Sequence, residues 1–274
     1  MNLNAEKKFY LGIDVGGTKI KAILLDRFKN QWFLAFNIPT PKNKKSFLSV
    51  LNKELNNLKR NKKIIGIGVG LPGSIELKRG LLLKAPNLAF LNSWQAKKFF
   101  SKFNTRIKID NDSRCFLRAE SILGAGKNYK NIVALTIGTG IGGGLMINSK
   151  IYYGRHNGAG EFGHMIIQIQ NSKLKVKSYE WENLGAKEAF LKYGDRSRII
   201  GLGVANLINA LDPEIIILGG GGIMQGGVKI ETVKKNAKKY IMSPLAKKTP
   251  IVKGKLGEYS QAIGAALLMK TKNY

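Results

Sequence analysis

The sequence predicts an α/β protein whose two lobes hold a ligand in the cleft between them. Two observations support this fold class. Apolar strand patterns alternate along the chain with segments of helical spacing. A strand, a glycine turn and a returning strand occur near the N-terminus, and the same series occurs again from Ile132 onward. Because two such units can grip one ligand and ligands bind at strand ends in this class, we expect an interlobe active site.

The N-terminal α/β lobe is predicted to span residues 1–112. Its first helix shows how the elements are assigned, since Phe47, Leu51, Leu55 and Leu58 recur three or four residues apart. We predict strands at residues 9–13, 20–25, 32–38, 64–69 and 107–109, a helix at residues 46–58, and a short helix that Ser93 caps and that runs to about Phe100.

The C-terminal α/β lobe is predicted to span residues 113–274. Its strands are expected at residues 132–137, 142–147 and 215–218, and its helices at residues 113–123, 182–191, 198–211, 228–242 and 259–269. The last helix is a candidate for packing back on the N-terminal lobe.

Charge is the unusual feature of the composition. Lys and Arg number 46 against 17 Asp and Glu, which gives the 274 residues a net charge of +29. Such an excess raises non-specific affinity for polyanions, including nucleic acid and anionic lipid surfaces. The basic residues are scattered, however, and no zinc finger or RNA-binding signature accompanies them. We therefore interpret the charge as a solvated surface that binds nucleic acid only non-specifically.

The chain also lacks the signals of export and of membrane insertion. No stretch approaches the roughly 18 consecutive apolar residues of a spanning helix, and the N-terminus has no apolar core followed by a cleavage site. We expect a cytoplasmic protein with no membrane partner. The single cysteine, Cys115, excludes an internal disulfide and a multi-cysteine zinc site, and its apolar surroundings predict a buried thiol.

The first glycine turn is a candidate phosphate-binding hairpin. Gly16 and Gly17 lie between two predicted strands, where glycine permits positive φ and leaves no Cβ in the way of a phosphate. Thr18 adds a hydroxyl donor and Lys19 a charge. Asp14, at the strand end, can hold magnesium directly or through water. An ordinary hairpin with an acidic turn is the competing interpretation.

The second glycine turn, at residues 138–140, carries the pattern G-x-G-x-G. A dinucleotide-binding fold would need a helix directly after the turn, but residues 142–147 are predicted to continue as a strand. A strand–turn–strand hairpin suits β- and γ-phosphates instead. The presence of one hairpin in each lobe therefore favours phosphoryl transfer.

Five polar residues provide the chemistry for an alcohol substrate. Asp112 follows a predicted strand and can accept the proton of an attacking hydroxyl, although an Asp in that place also serves as a helix N-cap. The amides of Asn111 and Asn87 suit a polyol. Glu161 and His164 lie three residues apart in a glycine-flanked turn, where they can bind further hydroxyls.

These segments together resemble the ROK family, which comprises bacterial-type glucokinases, other hexose and N-acetylhexosamine kinases, and sugar-responsive repressors. The motifs that carry the resemblance, in the family's order, are DVGGTK (14–19), GIGVGLPG (66–73), APNL (85–88), ND (111–112), GTGIGGG (138–144) and AGEFGH (159–164). They continue to residues 215–222 and 264–266, and they cover nearly the whole chain.

The resemblance implies an actin-like ATPase (ribonuclease H-like) fold that uses ATP and Mg²⁺. It implies that Asp112 is the catalytic base and that Asp14 acts near magnesium. By the resemblance, phosphate would be bound by Gly16, Gly17, Thr18, Lys19, Thr139 and Gly140, the adenosine end by Gly219, Gly220 and Gly221, and sugar by Asn87, Asn111, Asp112, Glu161, His164 and either Glu180 or Glu182. A homodimer is also implied by the resemblance alone.

Two departures from the family pattern stand out. Many members carry a Cys-x-Cys-Gly-x-x-Gly-Cys zinc site after this histidine, whereas residues 168–181 contain no cysteine. We therefore expect no zinc, and packing must replace the stabilisation that the metal would give. Residues 110–114 read DNDSR where the family usually has ENDAN, so Arg114 alters the surroundings of Asp112.

The sequence thus predicts an ATP-dependent sugar kinase of glucokinase type, transferring the γ-phosphate to a hexose hydroxyl, the 6-OH, with Asp112 as general base. Three alternatives stay open: an N-acetylhexosamine kinase, a non-catalytic sugar sensor, and a polyphosphate rather than ATP donor. Family repressors usually have an N-terminal DNA-binding module, and Asp14 comes too early for one.

Overall fold

A computed structural model describes residues 7–172, 175–186 and 196–271. The described residues up to 119 and from 259 onward form one compact unit, and those of 120–258 form a second. Within the described residues, no helix has the length and apolar character needed to cross a bilayer.

The first unit is built on a five-stranded sheet. In chain order its elements are β1 (Lys8–Val15), β2 (Lys19–Asp26), β3 (Trp32–Pro39), α1 (Lys44–Asn61), β4 (Lys63–Leu71), β5 (Ser74–Glu76), β6 (Leu81–Lys84), a 3-10 helix (Pro86–Leu91), β7 (Trp94–Gln95), α2 (Ala96–Ser101), β8 (Arg106–Asn111) and α3 (Asp112–Leu123), which continues into the second unit. The sheet has the order β3-β2-β1-β4-β8.

Strand register determines where the polar residues of this sheet lie. β1 runs antiparallel to β2 and parallel to β4, which in turn runs parallel to β8. Asp14 is aligned with Gly70, and Gly70 with Asp110. The carboxyl ends of β1, β4 and β8 therefore lie at one edge of the sheet, where ligands bind in this class of fold.

Helix α1 follows from the apolar spacing of the sequence. The side chain of Asn43 caps its start by accepting the Ser46 N–H at 2.9 Å. Phe47, Leu51 and Leu55 are buried along one face. Phe47 meets the Trp94 ring edge-on, with ring centroids 5.4 Å apart.

The predicted cap of the following helix was wrong. Ser93 has a φ of 59° and lies before β7, while α2 begins at Ala96 after Gln95. The reason is tertiary: Trp94 is 4% exposed and pairs with Leu82 on β6, which keeps residues 94–95 extended. Burying a large aromatic ring outweighs a local capping preference.

The second unit repeats the strand order of the first. Its elements are β9 (Ile132–Ile137), β10 (Ile141–Ile147), β11 (Lys150–Ile151), a 3-10 turn (Phe162–His164), β12 (Ile166–Ser172), β13 (Lys175–Glu180), α4 (Trp181–Gly185), α5 (Ser197–Leu211), β14 (Ile215–Gly219), α6 (Gly221–Met224), α7 (Ile230–Tyr240) and β15 (Ile251–Lys253). The sheet order is β11-β10-β9-β14-β15, with β9, β14 and β15 parallel. This confirms the internal repeat inferred from the glycine turns.

The helix predicted at residues 182–191 coincides only in part with α4, and residues 187–191 lie outside the described residues. A hairpin, β12–β13, occupies the part of the chain where many relatives are expected to carry zinc. The sequence reasoning had assigned no strands there.

The C-terminal helix α8 (Ser260–Leu267) belongs to the first unit, where it packs on β1, β2 and β4. Glycines make the close approach possible. A Cβ on Gly12 would overlap the carbonyl oxygen of Ala262, and a Cβ on Gly68 would overlap that of Ala265. The alternation of glycine and apolar residues in β1 and β4 therefore provides a flat surface for this helix.

Candidate active site

The first glycine turn is fixed from one side and exposed on the other. The Gly16 N–H donates to the Lys19 carbonyl at 3.0 Å. Thr40 holds the turn through its hydroxyl, which donates to the Gly16 carbonyl at 2.7 Å, and through its N–H, which donates to the Thr18 carbonyl. Gly17, Thr18 and Lys19 remain exposed. The turn is thus held in shape before any ligand arrives.

Gly16 and Gly17 matter to this turn because they lack a Cβ. Neither Gly16 nor Gly17 has a positive φ, although the sequence reasoning had allowed for it. A Cβ on Gly17 would lie 3.3 Å from the Cβ of Asn87, in the 3-10 helix Pro86–Leu91. The predicted phosphate turn and the predicted sugar-binding asparagine are therefore neighbours in the first unit.

Asp14 ends β1 as a nearly buried carboxylate, 9% exposed. Burial, and secondly the negative charge of Asp112, raise its pKa from 3.8 to about 7, and the positive charge of Lys21 opposes them. Lys21 faces Asp14 across the β1–β2 ladder. A carboxylate whose ionised form is disfavoured and that lies near a second one is typical of a functional site.

Asp112 begins α3, but it is Asn111 that caps the helix. The Asn111 Oδ1 accepts the N–H groups of Ser113 at 2.9 Å and Arg114 at 3.3 Å, and its Nδ2 donates to the Gly73 carbonyl at 3.2 Å. The Asp112 Oδ1 accepts the Ser113 N–H at 2.7 Å. The capping role that competed with catalysis for Asp112 is thus filled by its neighbour.

A buried ion cluster lies directly behind these two residues. Asp110, 0% exposed, accepts the Arg114 Nε at 2.7 Å and the Arg118 Nη2 at 2.9 Å, one on each carboxylate oxygen. Its Oδ1 also accepts the Asn111 N–H at 2.8 Å. The two guanidinium groups hold the pKa of Asp110 low despite its burial. Arg114 therefore contacts Asp110, and the Asp110 carboxylate orients the backbone that leads to Asp112.

In the second unit, the glycine turn between β9 and β10 is closed by its own backbone and by Glu182. The Gly138 N–H donates to the Gly140 carbonyl at 2.9 Å. The Glu182 Oε2 accepts the Ile141 N–H at 2.7 Å, and a Cβ on Gly140 would overlap this carboxylate. Thr139, at the tip of the turn, is exposed.

The predicted adenosine-side glycines lie beside this turn. Gly219, at the end of β14, is aligned with Thr136 of β9. Gly220 has a φ of 85°, and a Cβ there would lie 2.6 Å from the Ile137 carbonyl oxygen. A Cβ on Gly221 would meet nothing within 4 Å. Gly220 therefore packs tightly against β9, and the backbone is open at Gly221.

The Glu161–His164 segment forms a 3-10 turn that packs on β10. A Cβ on Gly163 would overlap the Ile141 carbonyl oxygen, which shows how closely the turn lies against the hairpin. The His164 Nδ1 lies 3.0 Å from the Glu180 Oε2, and both side chains are largely exposed. The hydrogen bond with Glu180 raises the pKa of His164, and the charges of Glu182 and Glu161 act in the same direction.

The two glutamates that the sequence could not distinguish have different contacts. Glu180 orients His164, whereas Glu182 supports the glycine turn. The second unit thus brings together the predicted residues Thr139, Gly140, Glu161, His164, Glu180 and Gly219–Gly221 around one end of β9, β10 and β14.

Sequence reasoning missed Asp110, Arg118 and Lys21. Asp110, Arg114 and Arg118 follow one another at intervals of four residues, and this spacing places the two arginines on one face of α3. This four-residue interval was the sequence pattern from which the ion cluster could have been predicted. The role of Lys21 depends on the β1–β2 register, which a single strand pattern does not give.

This chain belongs to the ROK family: the model of that family matches residues 10–190 and 168–272. It has the actin-like ATPase fold with two lobes, and its structure is similar to that of a ROK family glucokinase from Streptomyces griseus in complex with glucose and AMPPNP, with a TM-score of 0.82, 22% identity, and coverage of 95% of this chain and 98% of that chain.

Two curated relatives match almost end to end. A glucokinase of Halalkalibacterium halodurans is 28% identical, with 96% of this chain and 95% of the relative covered. An N-acetyl-D-glucosamine kinase of Mannheimia succiniciproducens is also 28% identical, with 95% of this chain and 99% of the relative covered.

Proposed function

We propose that this protein is an ATP-dependent sugar kinase that transfers the γ-phosphate of ATP to a hexose hydroxyl, the 6-OH as in glucokinases. The observation that carries the proposal is the pair of carboxylates at one edge of the first sheet. Asp14 lies near the end of β1 and Asp112 follows β8, and the carboxyl ends of these strands lie at one edge; burial, and secondly the charge of Asp112, raise the pKa of Asp14. The names of the relatives, glucokinase and N-acetyl-D-glucosamine kinase, support the same reaction class.

Asp112 is the proposed general base. Its carboxylate would accept the proton of the attacking hydroxyl while the sugar oxygen bonds to the γ-phosphorus and the bond from that phosphorus to the ADP oxygen breaks. Asp112 is partly exposed, whereas Ser113 and Arg114 beside it are buried. The Asn111 cap and the Asp110 cluster hold this part of the backbone, so Asp112 is oriented before substrate binds.

The two glycine turns are the proposed phosphate sites. In the first unit, Gly16, Gly17, Thr18 and Lys19 would present backbone N–H groups, a hydroxyl and an ammonium group to the phosphates. In the second unit, Thr139 and Gly140 would do the same, and Gly219–Gly221 would lie along the adenosine end. Support comes from the exposure of the turn tips and from the contacts of Thr40 and Glu182 that fix the turns.

Sugar hydroxyls are the proposed partners of Asn87, Asn111, Glu161, His164 and Glu180. Of these, Asn111 already uses its Oδ1 and one Nδ2 bond within the protein, so its sugar contact would come from the second N–H of Nδ2. Glu180 would act partly through His164, because it fixes the orientation of that ring.

Magnesium fits the carboxylate pair. Among the described residues, no group of three or more His, Cys, Asp or Glu side chains is arranged to hold a metal ion. Mg²⁺, however, is usually bound by one or two carboxylates together with waters and substrate phosphates. Asp14 would hold it, directly or through water, and the ion would neutralise phosphate charge. A carboxylate with a pKa of about 7 is suited to a site that a cation completes.

The first experiment is ADP production from Mg-ATP against a panel of hexoses and N-acetylhexosamines. We expect sugar-dependent turnover that Asp112→Asn lowers by about 10²–10⁴-fold, the usual contribution of a general base, while sugar binding measured by calorimetry persists. Asp212→Asn is the matched control, because this carboxylate is exposed and lies after α5.

The outcomes separate the candidate functions. Preference for an N-acetylated sugar would identify an N-acetylhexosamine kinase rather than a glucokinase. The two relatives support these two functions equally, because the N-acetyl-D-glucosamine kinase of Mannheimia succiniciproducens and the glucokinase of Halalkalibacterium halodurans are both 28% identical to this chain. Sugar binding without turnover would indicate a sensor. Undiminished turnover in Asp112→Asn would show that another residue is the base.

A further inference from the structure

The segment 238–248 in the second unit exposes large apolar side chains. Met242 is 87% exposed and Leu245 is 76% exposed, and Tyr240 nearby is 56% exposed. These values are far above those of a side chain that belongs to the core of its own unit. We call residues 238–248 the basic apolar surface. A local concentration of exposed apolar side chains indicates an interaction site, whereas single ones need no explanation.

This surface is firmly held by the rest of the unit. Ile241 is 3% exposed and Ala246 is 8% exposed, and both belong to the core of the second unit. The Asn209 side chain bonds on both sides of Ile241: its Nδ2 donates to the Tyr240 carbonyl and its Oδ1 accepts the Met242 N–H, both at 2.9 Å.

A turn holds the second half of the surface. The Lys247 N–H donates to the Ser243 carbonyl at 3.0 Å, and the Lys248 N–H donates to the Leu245 carbonyl at 3.0 Å. Met242 and Leu245 are therefore exposed by an ordered backbone with anchors on both sides. Because the backbone is already held, binding a partner would cost mainly the rotamer freedom of these side chains and little backbone entropy.

Lysines precede and follow the apolar side chains along the chain. Lys238 and Lys239 lie at the end of α7, and Lys247 and Lys248 follow Leu245. All four lysines are exposed. Between Glu231 and Glu258 the sequence contains no acidic residue. The segment therefore combines exposed apolar side chains with four lysines and has no acidic residue of its own; the exposed Asp212 and Glu214 flank Pro213, whose carbonyl accepts the Thr249 hydroxyl at 3.4 Å. A partner that is both anionic and partly apolar is complementary to this segment.

We propose that the basic apolar surface docks on an anionic lipid bilayer, with Met242 and Leu245 inserted among the acyl chains and the four lysines at the headgroups. Amphipathic segments with this combination bind at membrane interfaces, because apolar burial and attraction to anionic lipid add together. The attachment would be peripheral. It differs from the expectation, drawn from the sequence alone, that no membrane is involved.

Two other partners fit less well. A second copy of the chain would bring the same four lysines against each other, which like-charge repulsion opposes. Nucleic acid would match the lysines and could stack a base on Tyr240, but the two most exposed apolar side chains here, Met242 and Leu245, are not aromatic. An anionic bilayer satisfies both the charge and the aliphatic side chains.

Vesicle flotation of the full chain tests the proposal. The probes are vesicles of phosphatidylcholine alone and of phosphatidylcholine mixed with phosphatidylglycerol in equal parts. We expect binding to the anionic vesicles that Met242→Ser together with Leu245→Ser weakens about tenfold or more, since burying one such side chain is worth at least that factor. The control is Phe28→Ser, because Phe28 is 80% exposed but lies in the first unit.

A charge comparison completes the experiment. Lys247→Gln with Lys248→Gln should weaken binding about fivefold for each lysine removed. The same changes at Lys97 and Lys98, an exposed pair on α2 of the first unit, should have little effect.

Several results would overturn the proposal. Equal losses from both lysine pairs, or from Phe28→Ser, would show that net charge or any exposed apolar side chain suffices. Binding that does not change in the Met242 and Leu245 variant would exclude insertion. A change only in the oligomeric state of that variant, measured by sedimentation without vesicles, would assign the surface to a second copy of the chain.

Discussion

Replacing Asp14 with asparagine should stabilise the protein in the absence of ligands, by an amount that grows as the pH rises from 3.8 to about 7. Asp14 is nearly buried, and its pKa is about 7 in the folded chain against an ordinary value of 3.8. Above pH 7 the folded protein must therefore keep an ionised carboxylate in a place that disfavours it. Asparagine has nearly the same shape and carries no charge at any of these pH values.

The magnitude follows from the pKa difference. At about 1.4 kcal/mol for each tenfold change in proton affinity, a pKa raised from 3.8 to about 7 corresponds to about 4 kcal/mol. The folded state binds the proton more tightly than the unfolded chain. The Asp14 contribution to the free energy of unfolding is thus most favourable below pH 3.8, and it is lost as the pH rises to about 7.

Urea unfolding of the wild type and Asp14→Asn, at intervals from pH 5 to pH 8.5, measures this effect. Between pH 5 and pH 8.5 the variant should gain about 3 kcal/mol on the wild type, because about 1–2 kcal/mol of the full difference is already present at pH 5. Comparing the two proteins at each pH cancels the titrating groups that do not interact with Asp14; Asp112 and Lys21 do interact with it. Asp212→Asn, which removes a carboxylate from an exposed position after α5, is the matched control variant. A stability difference that stays constant across the pH range would refute the reasoning.

Two further predictions concern packing and the histidine. Gly68→Ala should lower the free energy of unfolding by about 1–3 kcal/mol or more, because its Cβ would overlap the backbone carbonyl of Ala265; Gly158→Ala, where nothing lies within 4 Å of the added Cβ, is the control in the same urea assay. Glu180→Gln should lower the pKa of His164 toward 6.5, since the hydrogen bond with Glu180 is the main cause of its rise; an NMR titration of the ring that showed no change would contradict this assignment.

Much of the fold could be predicted because its signals are local. The helix α1 follows from the spacing of its apolar residues, and the repeated strand order of the two sheets follows from two similar strand–glycine–strand patterns. The start of α2 could not be found in this way. The sequence around Ser93 offers a good cap, but the pairing of Trp94 with a distant strand decides the conformation. Contacts between residues far apart in sequence carry no local signal.

The same limit applies to the candidate site. The residue types and their order in the sequence indicated which residues to consider as site residues, and the structure shows which contacts each of them makes. Asn111 was predicted as a sugar ligand, yet its amide also caps α3 and bonds the Gly73 carbonyl, contacts that the sequence did not indicate. Arg114 was expected to alter the surroundings of Asp112, and its Nε is bonded to the buried Asp110. Removing one member of such a buried ion cluster costs several kcal/mol. The departure from the family pattern at this position therefore supports the backbone that leads to Asp112, the proposed base.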